Sequence, residues 1–255
     1  MQSARPPAFA TVIFDCDSTL CSIEGIEELA HGHRNAVAAL TDAAMRGEFP
    51  LEAVYARRLE LVRPTRDDIG RLGRRYVDTL VPDAGETVSV LRDCGVNVRI
   101  ISGGVLQAVR ILASALGVDE ESVAAVELRF GPAPACEYAG FDEQSPLARA
   151  GGKRVQIERW HPVLTRPIML VGDGATDLEA RPAVDRFVAF AGVVEREIVV
   201  AQADDIVRAA SLAPIIPLAL GAPPRGRSAR ALFDRGAALL ASDTARSSHT
   251  SLASE

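Results

Sequence analysis

No stretch of this sequence approaches the roughly 20 consecutive apolar residues that a membrane-spanning helix needs. The N-terminal MQSARPPAFATVIF has no apolar run of secretion-signal length ahead of its first strand-like segment. The expectation is a cytoplasmic protein with no membrane partner. Positive charge is also scarce: 28 Lys and Arg stand against 34 Asp and Glu, a formal net charge of -6, and the arginines are interleaved with acids. A nucleic-acid footprint needs a clustered basic excess, so no nucleic-acid partner is expected. The four cysteines, Cys16, Cys21, Cys94 and Cys136, lack CxxC spacing, which argues against a zinc site and a disulfide framework. GxGxxG is absent, so the glycines of GDGATD do not make a dinucleotide loop. Internal repeats are absent as well.

What is present suffices for a sizeable core. The chain has 255 residues, 48% of them hydrophobic and 24% charged, which suits a soluble globular protein with one core and room for an inserted module. After a short apolar strand, Ala10 to Phe14, the stretch from Ile23 to Val77 reads as helical. Gly32, Gly47, Pro50 and Pro64 punctuate it, and Thr65 with Asp68 forms a variant capping box. From Pro82 onward helix and strand alternate. A helix around Glu86 to Cys94 precedes the strand VNVRIIS, the helix VLQAVRILASALG, and short strands in VAAVELRF and CEYAGF. The helix GGKRVQIERW, the strand PIMLVGDG, the helix ATDLEA, the strand RFVAF and a helix VEREIVVAQ follow. Such alternation predicts an α/β fold, a Rossmann-like parallel sheet with helices on both faces, whose ligands bind at the carboxyl ends of the strands. Beyond Gly221 the reading is a short helix, ARALFDRGAALLA, and then a Ser-rich tail too polar to fold alone.

The chain is organised around FDCDSTL, Phe14 to Leu20. A strand delivers Asp15 and Asp17 to its carboxyl end, and residues two apart on an extended chain point the same way. Two close carboxylates repel, so the pair makes sense with a cation or a shared proton. Taken alone, DxDST is equally well explained as a turn in which Asp, Ser and Thr bond their own backbone. Three later segments weigh against that reading: Ser102 with Gly103 and Gly104 after VRII, Lys153 at a helix start, and Asp173 with Asp177 in GDGATD. A nucleophile, a hydroxyl beside glycine amides, a lysine and a second acidic pair suit phosphoryl transfer, which is largely positioning and charge stabilisation. A carboxylate attacking a phosphate dianion meets two repulsions of roughly 4 kcal/mol each at 4 Å and an effective dielectric near 20. A hard divalent cation on oxygen ligands offsets them.

Together the four segments resemble the haloacid dehalogenase superfamily. FDCDSTL with GIEELA, then AMRGEFP, RLELVRP, ISGG, GFDEQSP before GGK, and GDGATDLEA resemble the phosphoserine phosphatase family over about residues 10 to 205. The resemblance implies a catalytic core of residues 1–22 and 79–220 and a helical cap of 23–78; residues 221–255 have no counterpart in the family and read from their composition as a C-terminal extension, partly disordered. It implies hydrolysis of O-phospho-L-serine, a small-molecule substrate, to serine and phosphate in serine biosynthesis. Asp15 would be the nucleophile and Asp17 the acid and base. Asp15, the backbone carbonyl of Asp17 and Asp173 would hold Mg2+. Ser102, the Gly103 amide and Lys153 would bind the phosphoryl group, Thr176 would line its side, and Asp177 would orient Lys153. Glu24 would meet the substrate ammonium, Arg58 its carboxylate, and Met45 would form an apolar wall. Leu51 stands where the family often has Phe, which keeps open a phosphatase for another small phosphorylated amine. Transfer of the phosphoryl group to homoserine is a further alternative, and both a monomer and a homodimer stay open. His31 and His33, two apart, do not share a helical face and lack partners at ligand spacing. Trp160 reads as packing.

Overall fold

The computed structural model describes residues 6–30, 32, 33, 35–37, 39, 40, 51–132 and 137–252. Met45, His31 and Cys136 lie outside the described residues, and for Leu51 only the backbone is described. Six parallel strands form the central sheet: β1 (Thr11–Phe14), β2 (Asn97–Val105), β3 (Val123–Val126), β6 (Ile168–Gly172), β7 (Arg186–Phe190) and β8 (Asp205–Val207). Their order is β3-β2-β1-β6-β7-β8, with β1 at the centre. β4 (Leu128–Phe130) and β5 (Tyr138–Phe141) make a separate antiparallel pair.

Strand residues alternate between two cores, as the period of two requires. Val12, Phe14, Ile100, Met169, Val171, Val188 and Phe190 pack on one side of the sheet. Ile13, Ile101, Ile168, Leu170, Phe187 and Ala189 pack on the other. A parallel sheet buried on both faces explains why these strands read as continuous apolar runs. The first core is covered by α3 (Arg66–Asp78), α4 (Ala84–Asp93), α5 (Leu106–Ala115) and α9 (Ile215–Leu220), and the second by α6 (Gly152–Trp160) and α7 (Ala175–Ala180). Trp160 packs against the second core and stacks under the Arg99 guanidinium at 5.0 Å.

Among the described residues between β1 and α3 are the helices α1 (Gly25–Leu29) and α2 (Leu51–Val62). The chain just after β1 and the chain just after α3 lie side by side: the Ser22 amide donates to Thr79 O at 2.9 Å and the Val81 amide to Leu20 O at 3.0 Å. The capping box is present, with the Asp68 amide donating to Thr65 Oγ1 at 3.2 Å and the Thr65 amide to Asp68 Oδ2 at 2.8 Å. α3 lies directly on α5, and Gly73 permits the approach, since a Cβ there would sit 2.4 Å from Ile111 Cδ1.

Several elements differ from the sequence reading. VAAVELRF divides at Glu127: its first half joins the main sheet as β3 and its second half turns away as β4. β2 runs on through Gly103 and Gly104 to Val105, and the helix after it begins at Leu106. The helix read in VEREIVVAQ is only four residues, α8 (Glu197–Val200). A three-residue edge strand, β8, was not expected. The helix read in ARALFDRGAALLA is longer than read: α10 (Arg227–Leu252) runs for 26 residues. Its Ala, Arg and Leu content favours helix, and beyond Gly236 no Gly or Pro interrupts it.

Candidate active site

The register brings the motif residues to one level. Phe14 pairs with Ile100 on one side and Val171 on the other, and the Asp15 amide extends the ladder to Val171 O at 2.9 Å. One and two residues beyond those pairings stand Asp15, Ser102 and Asp173. Lys153 arrives from the first turn of α6, and Asp177 from the first turn of α7.

Lys153 Nζ lies 2.7 Å from Asp15 Oδ1 and 2.7 Å from Asp177 Oδ1. All three side chains are buried. Burial works against the Lys153 ammonium, but the two carboxylates outweigh it and strengthen its hold on the proton. Burial and the Asp15 charge push Asp177 up, while Lys153 and the Gly174 amide oppose that shift. Gly172 makes room for this pair, since a Cβ there would lie 2.3 Å from Asp177 Cγ.

Asp17 has a different surrounding. Its Oδ1 accepts the Gly25 amide at 2.7 Å and the Tyr76 hydroxyl at 2.8 Å, and its Oδ2 accepts Ser102 Oγ at 3.2 Å. Burial, then the charges of Asp15 and Glu24, push the carboxyl up to about 7 in spite of the Tyr76 and Gly25 donors. Asp15 and Asp17 therefore share a strand end but not an environment. Ser102 Oγ also accepts the Gly104 amide at 2.9 Å, and the half-buried Gly103 lies between them.

Asp173 accepts Thr19 Oγ1 at 3.1 Å and a hydrogen bond from the Arg196 guanidinium. Arg196 also lies 3.5 Å from Glu24 Oε1, which accepts Ser18 Oγ at 2.7 Å. Arg58 stands half-buried on α2, where burial lowers its pKa and the charges of Glu27 and Glu24 oppose that shift only in part. Thr176 stands half-buried in the first turn of α7.

Oxygen atoms of Asp15, Asp173 and Asp177 come within 4.8 Å of one another, and all three residues are buried. This all-oxygen donor set suits a hard divalent cation. Around it, three acids face the cations of Lys153 and Arg196, an acidic surplus that such an ion would neutralise. The Asp17 carboxylate is taken up by its own donors and is not part of this cluster. Exposed His33 contributes nothing to it. An open groove of about 1680 Å³, lined among others by Asp83, Asn97, Gly117 and Arg235, lies at the start of β2, and none of the motif residues reaches it.

No family model matches the chain. Phosphoserine phosphatase of Bos taurus is 42% identical over 195 residues, which cover 73% of this chain and 83% of that protein. The chain belongs to the phosphoserine phosphatase family. The chloroplastic phosphoserine phosphatase of Arabidopsis thaliana is 41% identical over 198 residues, covering 76% of this chain and 66% of that one. Among solved structures, a substrate-bound phosphoserine phosphatase complex matches with a TM-score of 0.68 at 24% identity, over 85% of this chain and 100% of that one. A phospho-aspartyl intermediate analogue of phosphoserine phosphatase matches with the same TM-score, 0.68, and covers 82% and 98% of the two chains. Those two likenesses speak for the fold, a haloacid dehalogenase core.

Sequence reasoning missed Tyr76, Thr19 and Arg196. Tyr76 is the one aromatic on the apolar stripe Ile69, Leu72 and Tyr76 of α3, where a packing role hides a polar one. Thr19 sits inside the motif but reads as turn chemistry. Arg196 sits in a segment read as an ordinary helix and gives no local signal. Among the described residues no helix is long and apolar enough to cross a membrane.

Proposed function

We propose that this phosphoserine phosphatase family member hydrolyses O-phospho-L-serine through an aspartyl-phosphate on Asp15. The observation that carries the reading is the contrast between the two motif acids. Asp15 lies against buried Lys153 at 2.7 Å, and Asp17, two residues on, is pushed up to about 7. In the first step Asp15 Oδ attacks phosphorus, the bond to the serine oxygen breaks, and protonated Asp17 gives its proton to that oxygen. In the second step Asp17 takes a proton from water as the water attacks phosphorus, and Asp15 and phosphate are released. Lys153, Ser102 and the Gly103 amide bind the phosphoryl oxygens, Thr176 lines that side, and Asp177 orients Lys153. Glu24 takes the ammonium and Arg58 the carboxylate, for which a guanidinium offers two donors.

Asp15, the backbone carbonyl of Asp17 and Asp173 would hold Mg2+, and the ion would supply charge neutralisation toward the phosphate. Residues 23–78 act as a cap over the site. The joined backbone at Ser22 and Thr79 supports that division. The relatives reported above are phosphatases by name, which favours hydrolysis over transfer to homoserine. We place the protein in the cytoplasm.

The test is phosphate release from L-phosphoserine, phosphothreonine, phosphoethanolamine and an aryl phosphate, with and without Mg2+. The expected result is metal-dependent release with a preference for L-phosphoserine. Release confined to the other three compounds would overturn the substrate assignment.

A further inference from the structure

One polar group at this site is used neither by the fold nor by the chemistry above. The hydroxyl of Tyr55, on α2, is buried and has no hydrogen-bond partner among the described residues. Its ring is held firmly: it meets Phe141 edge-on, with centroids 5.4 Å apart and planes at 71°, and it packs against both cores. The ring therefore sits at the boundary where the two cores meet. Burial, then the nearby Asp17 carboxylate, push the phenol well above its usual range, so the group stays protonated and acts as a donor. Asp17 does not accept from it, because its described partners are Gly25, Tyr76 and Ser102. Three residues further along α2, on the same face of the helix, stands Arg58. Tyr55 thus shares a helix face with Arg58 and an electrostatic field with Asp17.

A buried hydroxyl without a partner is unfavourable in the free protein, and a ligand that brings an acceptor removes that penalty. Of the three groups on phosphoserine, the phosphate is surrounded by Ser102 and Lys153, and the ammonium offers no acceptor. We infer that Tyr55 is a specificity-determining residue whose hydroxyl donates to the substrate carboxylate beside Arg58. This rests on the phosphoserine reading given above. A neutral donor next to a guanidinium adds direction to what would otherwise be a charge contact alone.

Tyr55→Phe keeps the ring and its contact with Phe141 and removes only the donor. The expected result is a rise of about tenfold in KM for L-phosphoserine, as for a hydrogen bond to a charged group, with kcat within about twofold. Kinetics on phosphoethanolamine, which lacks the carboxylate, stay unchanged, and the melting temperature does not fall because no protein partner is lost. An unchanged KM for L-phosphoserine overturns the inference. So does an equal loss on both substrates, and so does a fall in melting temperature without a change in preference. Wild-type protein that fails to prefer L-phosphoserine over phosphoethanolamine overturns the phosphoserine reading itself, and the role of Tyr55 with it.

Discussion

Gly172 closes β6 with no side chain, and the absent atom is what lets Asp177 stand against Lys153. A Cβ there would lie 2.3 Å from Asp177 Cγ and 2.5 Å from its Oδ2, far inside contact distance. The carboxylate is buried on every side and has nowhere to retreat. Gly172→Ala is therefore expected to push Asp177 off Lys153, which then loses one of its two anchors to Asp15 and Asp177. Overpacking of this kind costs about 1–3 kcal/mol of stability. A displacement near 1 Å at a reacting centre lowers turnover by roughly a hundredfold. Urea unfolding and phosphate release on the same preparation check both effects. A variant with the wild-type rate would remove Asp177 from any part in orienting the lysine.

At the scale of elements, Asp204 ties the turn before β8 to the rest of the second core. Its Oδ2 accepts the Phe187 amide of β7 at 2.9 Å, and its Oδ1 meets Arg181 at 2.5 Å. The Arg181 hydrogen bond, aided by the Phe187 amide and opposed by burial, holds the carboxyl below its usual range. A lowered folded-state pKa contributes stability that is present above the unfolded value of about 4 and is lost as pH falls through the folded value. The stability gap between wild type and Asp204→Asn should therefore be constant from pH 8 to 5, at about 1 kcal/mol. It should close as the pH falls below 4, and unfolding curves at three pH values would show this. A gap that widened toward acid would contradict the assigned cause.

Elements with a strong period were legible, and those held by tertiary contacts were not. β1, β6 and β7 are apolar runs with a turn at each end, and their bounds could be read from the residues. β8 is only DIV between one acid and an arginine, and it becomes a strand because β7 offers it an open edge. α10 looks too polar for a packed element, but contact with the sheet edge and with α9 holds it. In the site, residues in motifs were visible because their spacing is local. Arg196 and Tyr76 reach Asp173 and Asp17 through the fold alone, and spacing could not reveal them.

Across the whole molecule, the C-terminal helix α10 is tied back to the core by a buried acid. Asp243 Oδ2 accepts the Arg208 amide at 2.8 Å and the Ala209 amide at 3.1 Å, just past β8, and Arg235 bonds Asp83 at the start of α4. Gly236 lets the helix pass within touching distance of Ala213, where a Cβ would lie 2.2 Å from the carbonyl oxygen. Asp243→Ala leaves two backbone amides without this acceptor and should destabilise the protein by about 2–4 kcal/mol. The site lies at the other motifs, so kcat at a temperature well below unfolding should not change. Thermal melting together with steady-state kinetics separates the two.

The contact between Thr19 and Asp173 joins residues 154 positions apart, and β1 lies between two strands that come much later in the chain. A chain made from its amino end first therefore emerges with its central strand and both motif acids long before their counter-charges. β6 must leave the ribosome before the sheet can close around β1, and Arg196 must follow before the acids of the site have all their counter-charges. Non-local pairing of this kind is slow, so catalytic competence is acquired in one late step of biogenesis. An incomplete chain ending before residue 153 would expose an apolar strand tipped with uncompensated charge, a natural client for a chaperone.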